Sequence, residues 1–122
     1  MRLKNYNYND IIEIQKKFNE RVFFNKGIDI NNLTEEQLHN VLKDFCIHLI
    51  DEVMELLREF HWKMHRLDRR HLSRSNVLEE LVDIDKFFFN FLFVLKVSEK
   101  EFINAWNKKT KKVWDRYEKE LG

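Results

Sequence analysis

Two stretches of the chain carry carboxylates at a spacing that could do chemistry: Glu52-Val-Met-Glu55 and Glu80-Leu-Val-Asp83. Residues three apart project from the same side of a helix, so each stretch offers a pair of carboxylates to one neighbour. Either pair alone is an ordinary feature of an amphipathic helix. The second pair lies in different company, because Val77 to Leu95 is apolar nearly all round and reads as a helix buried on most sides. Carboxylates buried there need compensation, since an unpaired buried charge costs several kcal/mol, roughly. A divalent cation is the simplest source. Four converging oxygens favour Mg²⁺, with Mn²⁺ as an alternative, over zinc, which prefers His and Cys.

The elements that must position these groups are helices. The chain of 122 residues contains no Pro and two Gly, Gly27 and the terminal Gly122, too few for the tight turns of a sheet. The apolar periodicity predicts a first helix from Asp10 to Phe24, with Asn9 or Asp10 as its N-cap. Thr34-Glu-Glu-Gln37 is a capping-box pattern opening a long second helix that the spacing carries to His65. A third helix is expected from Ser75 or Asn76 to Val97. Ser98-Glu-Lys-Glu101, a second capping-box pattern, opens a fourth that runs to Glu118. Between the second and third lies a polar, basic segment, Arg66 to Ser75, read as a solvated loop. At about 100° per residue Glu52 falls at the edge of the Leu38, Phe45, Leu49 and Leu56 stripe. Antiparallel packing of the second helix on the third would bring the two carboxylate pairs together.

Composition bounds the rest. Hydrophobic residues make up 43% and aromatics 14%, which excludes a disordered tail and fits one domain over residues 1–122. The formal net charge of +1 supplies no basic field, so a nucleic-acid partner is not expected. Cys46 is the only cysteine, which fits a reducing, cytoplasmic setting. The first ten residues lack the apolar run of a signal peptide, and Phe87 to Val97 is too short to span a bilayer, so no membrane partner is expected.

Taken in order, these motifs resemble the all-α nucleoside triphosphate pyrophosphatases, the superfamily of the MazG-like proteins and the dimeric dUTPases. The resemblance rests on Asp51-Glu52-x-x-Glu55 followed by Glu80-x-x-Asp83. Ile14-Gln15-Lys-Lys-Phe18-Asn19, Phe60-His-Trp62-Lys63 and Asn76-Val-Leu-Glu-Glu80-Leu-Val-Asp83-Ile are similar to segments of the dimeric dUTPase and phage dUTPase-like branch. It covers about residues 10 to 117. It implies an all-α, four-helix bundle with the long second and third helices at the centre and the interface of a homodimer, or of a dimer of dimers.

The same resemblance implies a Mg²⁺-dependent hydrolase that converts a nucleoside triphosphate to monophosphate and pyrophosphate. A deoxyuridine or deoxycytidine triphosphate is the first expectation for the substrate. Glu52, Glu55, Glu80 and Asp83 would hold the metal, with Glu55 orienting the attacking water and Glu52 as the alternative. Lys63, Lys109 and Arg116 would bind phosphate; Lys109 and Arg116 also read as part of a solvated basic face. Gln15 and Asn19 would hydrogen-bond the base, or else face solvent on the first helix. Trp62 would stack on the base, or else fill a core or a dimer interface. Phe87 would wall off the sugar 2′ position, or else simply pack in the core.

Some positions depart from the family pattern. Asp85 and Lys86 stand where the family often has Trp-His, and Thr110 and Val113 replace two asparagines near the phosphate-binding lysine. These changes touch the substrate pocket rather than the metal ligands. They leave open a second reading, a catalytically degenerate helical interaction or regulatory module of the same fold. A di-iron bundle is disfavoured because neither carboxylate pair has His at the third position after it.

Overall fold

The structure is a computed structural model, and it describes residues 7–60, 65 and 71–122. Four helices follow in chain order: α1 Tyr8–Asn25, α2 Glu35–Arg58, α3 Arg74–Val94 and α4 Glu99–Leu121. There is no strand among the described residues, so the expected all-α, four-helix architecture holds. None of the described helices is long and apolar enough to cross a membrane.

The helix ends follow local hydrogen-bond chemistry. α1 opens two residues earlier than expected, at Tyr8. Asn7 is its N-cap, accepting from the Asp10 N–H at 2.9 Å while the Asp10 carboxylate accepts from the Asn7 N–H at 3.1 Å. Asp10 is thus the far half of a capping box rather than the cap itself. The expected box at Thr34 and Gln37 closes both of its bonds, whereas Ser98 and Glu101 show only the serine's. α2 stops at Arg58, short of the expected His65, as the Glu59 and Phe60 N–H groups turn back to the carbonyls of Leu56 and Leu57. α3 is capped by Ser73, whose hydroxyl accepts from the Asn76 N–H. It ends before Val97 because Lys96 takes a left-handed φ of 55°. There the N–H groups of Lys96 and Val97 bond to Phe93 and Leu92 in a Schellman arrangement. Gly27, at φ 73°, ends α1 by the same device, at a position where a side chain would be strained.

Contacts fix the directions. Phe45 meets Phe91 edge-on at 5.6 Å between centroids, and His48 stacks on Phe87 at 5.8 Å. Numbers rise on α2 as they fall on α3, so the two run antiparallel. On the other side Tyr8 lies against Phe89 and the Lys16 ammonium over Phe93, so α1 runs parallel to α3. The core gathers at one end of this three-helix unit: Phe23, Ile30, Val41, Phe45 and Val94, bordered by Phe87, Phe91 and Phe93. Edge-to-face ring pairs such as these add about 0.5–1.5 kcal/mol each beyond area burial. A Lys96 Nζ–H bond to the Asn31 carbonyl at 3.0 Å ties the α1–α2 loop to the end of α3.

α3 is not buried on most sides. Leu78, Leu81, Val82 and Phe88 are exposed, and only the faces toward α1 and α2 are covered. α4 departs further from a closed bundle. None of its residues is buried, and it reaches the other helices mainly through Phe102, edge-on to Phe88 at 5.5 Å. Its apolar residues Ile103, Trp106, Val113, Trp114, Tyr117 and Leu121 form an exposed stripe, with Trp106 and Val113 two turns apart and the others at or near helical spacing.

Candidate metal centre

The antiparallel register of α2 and α3 sets Glu52 opposite Asp83 and Glu55 opposite Glu80, one turn beyond the Phe45 and His48 contacts. One carboxylate oxygen from each of Glu52, Glu80 and Asp83 lies within 4.8 Å of the other two. Three of the four expected carboxylates thus come together across the helix interface. Glu55 is not within that set of three oxygens. It is still close enough for its charge, and a carboxyl–carboxyl contact, to act on both Glu52 and Glu80.

Two of the gathered oxygens are left without a hydrogen-bond donor. Glu52 Oε2 and Glu80 Oε2 are shielded from solvent and have no hydrogen-bond partner among the described residues. Desolvation holds the Glu52 carboxyl above the usual glutamate range, with Glu55 and Asp83 the next causes. The Glu80 carboxyl is raised for the same reasons, desolvation first, then Glu55 and Asp83. Lys86, a candidate to neutralise Asp83 or Glu79, is exposed and makes no ion pair among the described residues. Gathered acidic oxygens, two of them shielded and unpaired, match the donor set of a hard divalent cation. The residues present fit that ion.

The other expected site residues fall into three groups. Gln15 and Asn19 are not on the solvent side of α1: they are 8% and 5% exposed. Both donate a side-chain N–H to Asn90 Oδ1, Gln15 at 3.1 Å and Asn19 at a shorter distance. Phe87 lies between the carboxylates and the core, packed on Phe45 and His48. Lys109 and Arg116 are exposed on α4, which makes no packing contact with α2, so one chain does not bring them to the carboxylates. Trp62 and Lys63, and the first half of the basic segment, residues 66–70, lie outside the described residues.

Asn90 is the polar residue that sequence reasoning passed over. It is 6% exposed in the middle of the apolar run of α3. The available signal was its spacing, seven residues after Asp83 and so on nearly the same helix face. Beside the amides a groove of about 650 Å³ opens between α1, α3 and the start of α4. Its walls include Tyr8, Gln15, Asn19, Phe89, Phe93 and Lys96. Asp85, one of the departures, has its carboxyl raised by burial, and its charge in turn raises the Tyr8 phenol, for which desolvation is the larger cause.

Fold and site together define an all-α protein with four helices and a carboxylate cluster between two antiparallel ones. No family model, no curated protein and no solved structure matches the chain.

Proposed function

We propose that the protein is a Mg²⁺-dependent nucleoside triphosphate pyrophosphohydrolase acting on a pyrimidine deoxynucleotide. The observation that carries this reading is the convergence of Glu52, Glu80 and Asp83 with two shielded, unpartnered oxygens. Glu52, Glu55, Glu80 and Asp83 would hold the metal, which supplies charge neutralisation to the triphosphate and acidifies a water. Glu55, within reach of Glu52 and Glu80 but outside the tightest set, suits the role of orienting that water. Attack at the α-phosphorus breaks the α–β bond and yields a monophosphate and pyrophosphate. No covalent nucleophile is required.

The amides support a nucleotide as substrate. Asp83 and Asn90 are seven residues apart on one face of α3, about 10 Å along the axis. That is the length scale separating the base of a nucleotide from its phosphates. Phe87, between them, stands at the level of the sugar.

The homodimer belongs to this reading. The chain exposes 10706 Å², against about 7,100 Å² for a compact monomer of its mass. The exposed stripe of α4 and the uncovered side of α3 are apolar surfaces that a second copy would bury. Because Lys109 and Arg116 lie on α4, assembly is also the route by which they would reach a triphosphate.

The test is pyrophosphate release with Mg²⁺ across the common deoxynucleoside and nucleoside triphosphates, beside Glu52→Gln and Asp83→Asn. Turnover that both substitutions leave intact removes the site. A second reading, a helical interaction module that has lost catalysis, draws on the distance of Lys109 and Arg116 from the carboxylates within one chain. It requires that no nucleotide be turned over with Mg²⁺.

A further inference from the structure

We propose that the groove between α1, α3 and the start of α4 is a binding site for a small aromatic carboxylate, separate from the metal centre and from the nucleotide assigned to it.

The separation follows from helix phase. Leu92 stands nine residues after Asp83, so it projects from α3 about half a turn away from the acids. Leu92, Phe88, Phe89 and Phe93 supply the α3 wall of the groove, and no residue of α2 lines it. A ligand held on that side of α3 does not reach Glu52, Glu80 or Asp83. Gln15 and Asn19 also border the groove, but its rings and its cations belong to neither the acids nor the amides.

Size and walls define the body of the ligand. The volume of about 650 Å³ falls in the range of small-molecule sites. Tyr8 meets Phe89 edge-on at 5.4 Å between centroids, Phe88 meets Phe102 at 5.5 Å, and Phe93 lies further along. Rings so arranged offer faces and edges to one more flat ring.

Two ammonium groups define the other end. Lys16 Nζ lies 5.7 Å from the centroid of Phe93, and Lys96 Nζ donates to the Asn31 carbonyl at 3.0 Å. Both lysines line the groove, and neither forms an ion pair with a carboxylate among the described residues. Lys96 follows Phe93 by three residues, just past the end of α3, whereas Tyr8 and Phe89 meet more than a turn earlier. The cations therefore gather at one end of an aromatic trough. Glu99 is the one carboxylate of the lining; it is exposed and stands in the first turn of α4, where the helix dipole favours it. Lys96 also holds a left-handed φ of 55°, a conformation that glycine adopts more readily. What lysine adds at that position is its ammonium. A flat ring carrying a carboxylate complements both features at once: the rings supply contact area and the ammonium groups fix the orientation.

The test uses the full chain in Mg²⁺-free buffer and two probes built on the same ring, 2-naphthoate and the neutral 2-naphthalenemethanol, with dissociation constants read by ligand-observed NMR. Naphthoate is expected to bind at least ~10-fold more tightly, the order of one charge-assisted hydrogen bond. Lys16→Met combined with Lys96→Gly removes both charges and suits the backbone at 96. It is expected to bring naphthoate down to the level of the alcohol and to leave the alcohol nearly unchanged. Leu92→Trp, which narrows the groove, should weaken both probes. The comparison on the unaltered chain stands even where a variant does not fold. Equal binding of the two probes, binding of neither, or a preference that persists in the folded double variant overturns the inference. So does binding that fades with rising protein concentration as the chain sediments as a larger species, which gives the groove to a second copy. Mg²⁺ with pyrophosphate, added last, is expected to leave naphthoate bound; displacement would place the probe at the metal centre instead. All of these readouts are independent of whether the chain hydrolyses a nucleotide.

Discussion

Glu52 on α2 and Asp83 on α3 face each other across the helix interface, each placing a carboxylate oxygen in the same 4.8 Å cluster as Glu80. Like charges so arranged repel one another, and the helices that carry them are held together by the phenylalanines further along. The acidic site is therefore a destabilised element supported by a core at the other end of the unit.

Removing one ligand should separate stability from activity. Glu52→Gln, Glu80→Gln and Asp83→Asn each relieve repulsion, so the metal-free variants are expected to melt at or above the parent by circular dichroism. Mg²⁺ should raise their melting temperatures less than it raises the parent's. Pyrophosphate release should fall by at least ~10–100-fold, the loss seen even for groups that only support a metal ligand. Glu55→Gln is expected to lower kcat by roughly 10²–10⁴-fold, the range for a lost general base, with a smaller change in Mg²⁺ affinity.

The pH dependence follows from the same charges. Glu52 and Glu80 are raised above the ordinary value of 4.5, so each binds its proton more tightly in the folded chain than in the unfolded one. Their effect favours folding most where both are protonated, and declines as pH rises from 4.5 through the raised midpoints. The metal-free protein should thus lose less stability on mild acidification than the Glu52→Gln, Glu80→Gln double variant, measured by urea denaturation. Mg²⁺ competes with those protons, so its stabilisation should grow with pH over the same interval.

Much of this arrangement was legible in the chain. The absence of Pro, the Thr34–Gln37 box and the serine at 98 mark helix starts through local bonds that owe little to the rest of the fold. Both carboxylate pairs could be placed because i,i+3 spacing is a property of the helix alone. Other features depend on tertiary structure. Asn7 precedes the apolar periodicity and was passed over as a cap in favour of Asn9 or Asp10. Gln15 and Asn19 read as base-binding or solvent-facing amides, and their buried partner, Asn90, lies 75 and 71 positions away. The apolar residues of α3 suggested burial on most sides, but a single chain supplies helices for only two of its faces.

The hydrophobic support can be tested directly. Phe45 is 6% exposed and meets Phe23, Phe87 and Phe91 edge-on. Phe45→Ala is expected to destabilise the chain by about 3–5 kcal/mol. Against a total of about 5–15 kcal/mol for a small domain, that is a large share. The measure is the denaturation midpoint, with a second comparison in saturating Mg²⁺, where tightening the acidic end should recover part of the loss.

Self-association has its own probe. Trp114 lies in the exposed stripe of α4, far from any helix cap. Trp114→Asp is expected to shift sedimentation toward the monomer while leaving the helical circular dichroism signal nearly unchanged. A parent chain that sediments as a monomer at micromolar concentration would end the dimer reading.

The shared face of Asp83, Phe87, Asn90 and Val94 makes α3 a keyed rod. One residue added between Asp83 and Asn90 would turn everything beyond it by about 100° relative to everything before it. The phenylalanine packing and the acids could not then both meet α2, although every helix would still form. Seven added residues would restore the phase but lengthen the gap by about 10 Å. The helix thus encodes a distance as well as an angle, and a drift in either leaves a folded protein whose acids and buried amides no longer keep their present spacing and phase.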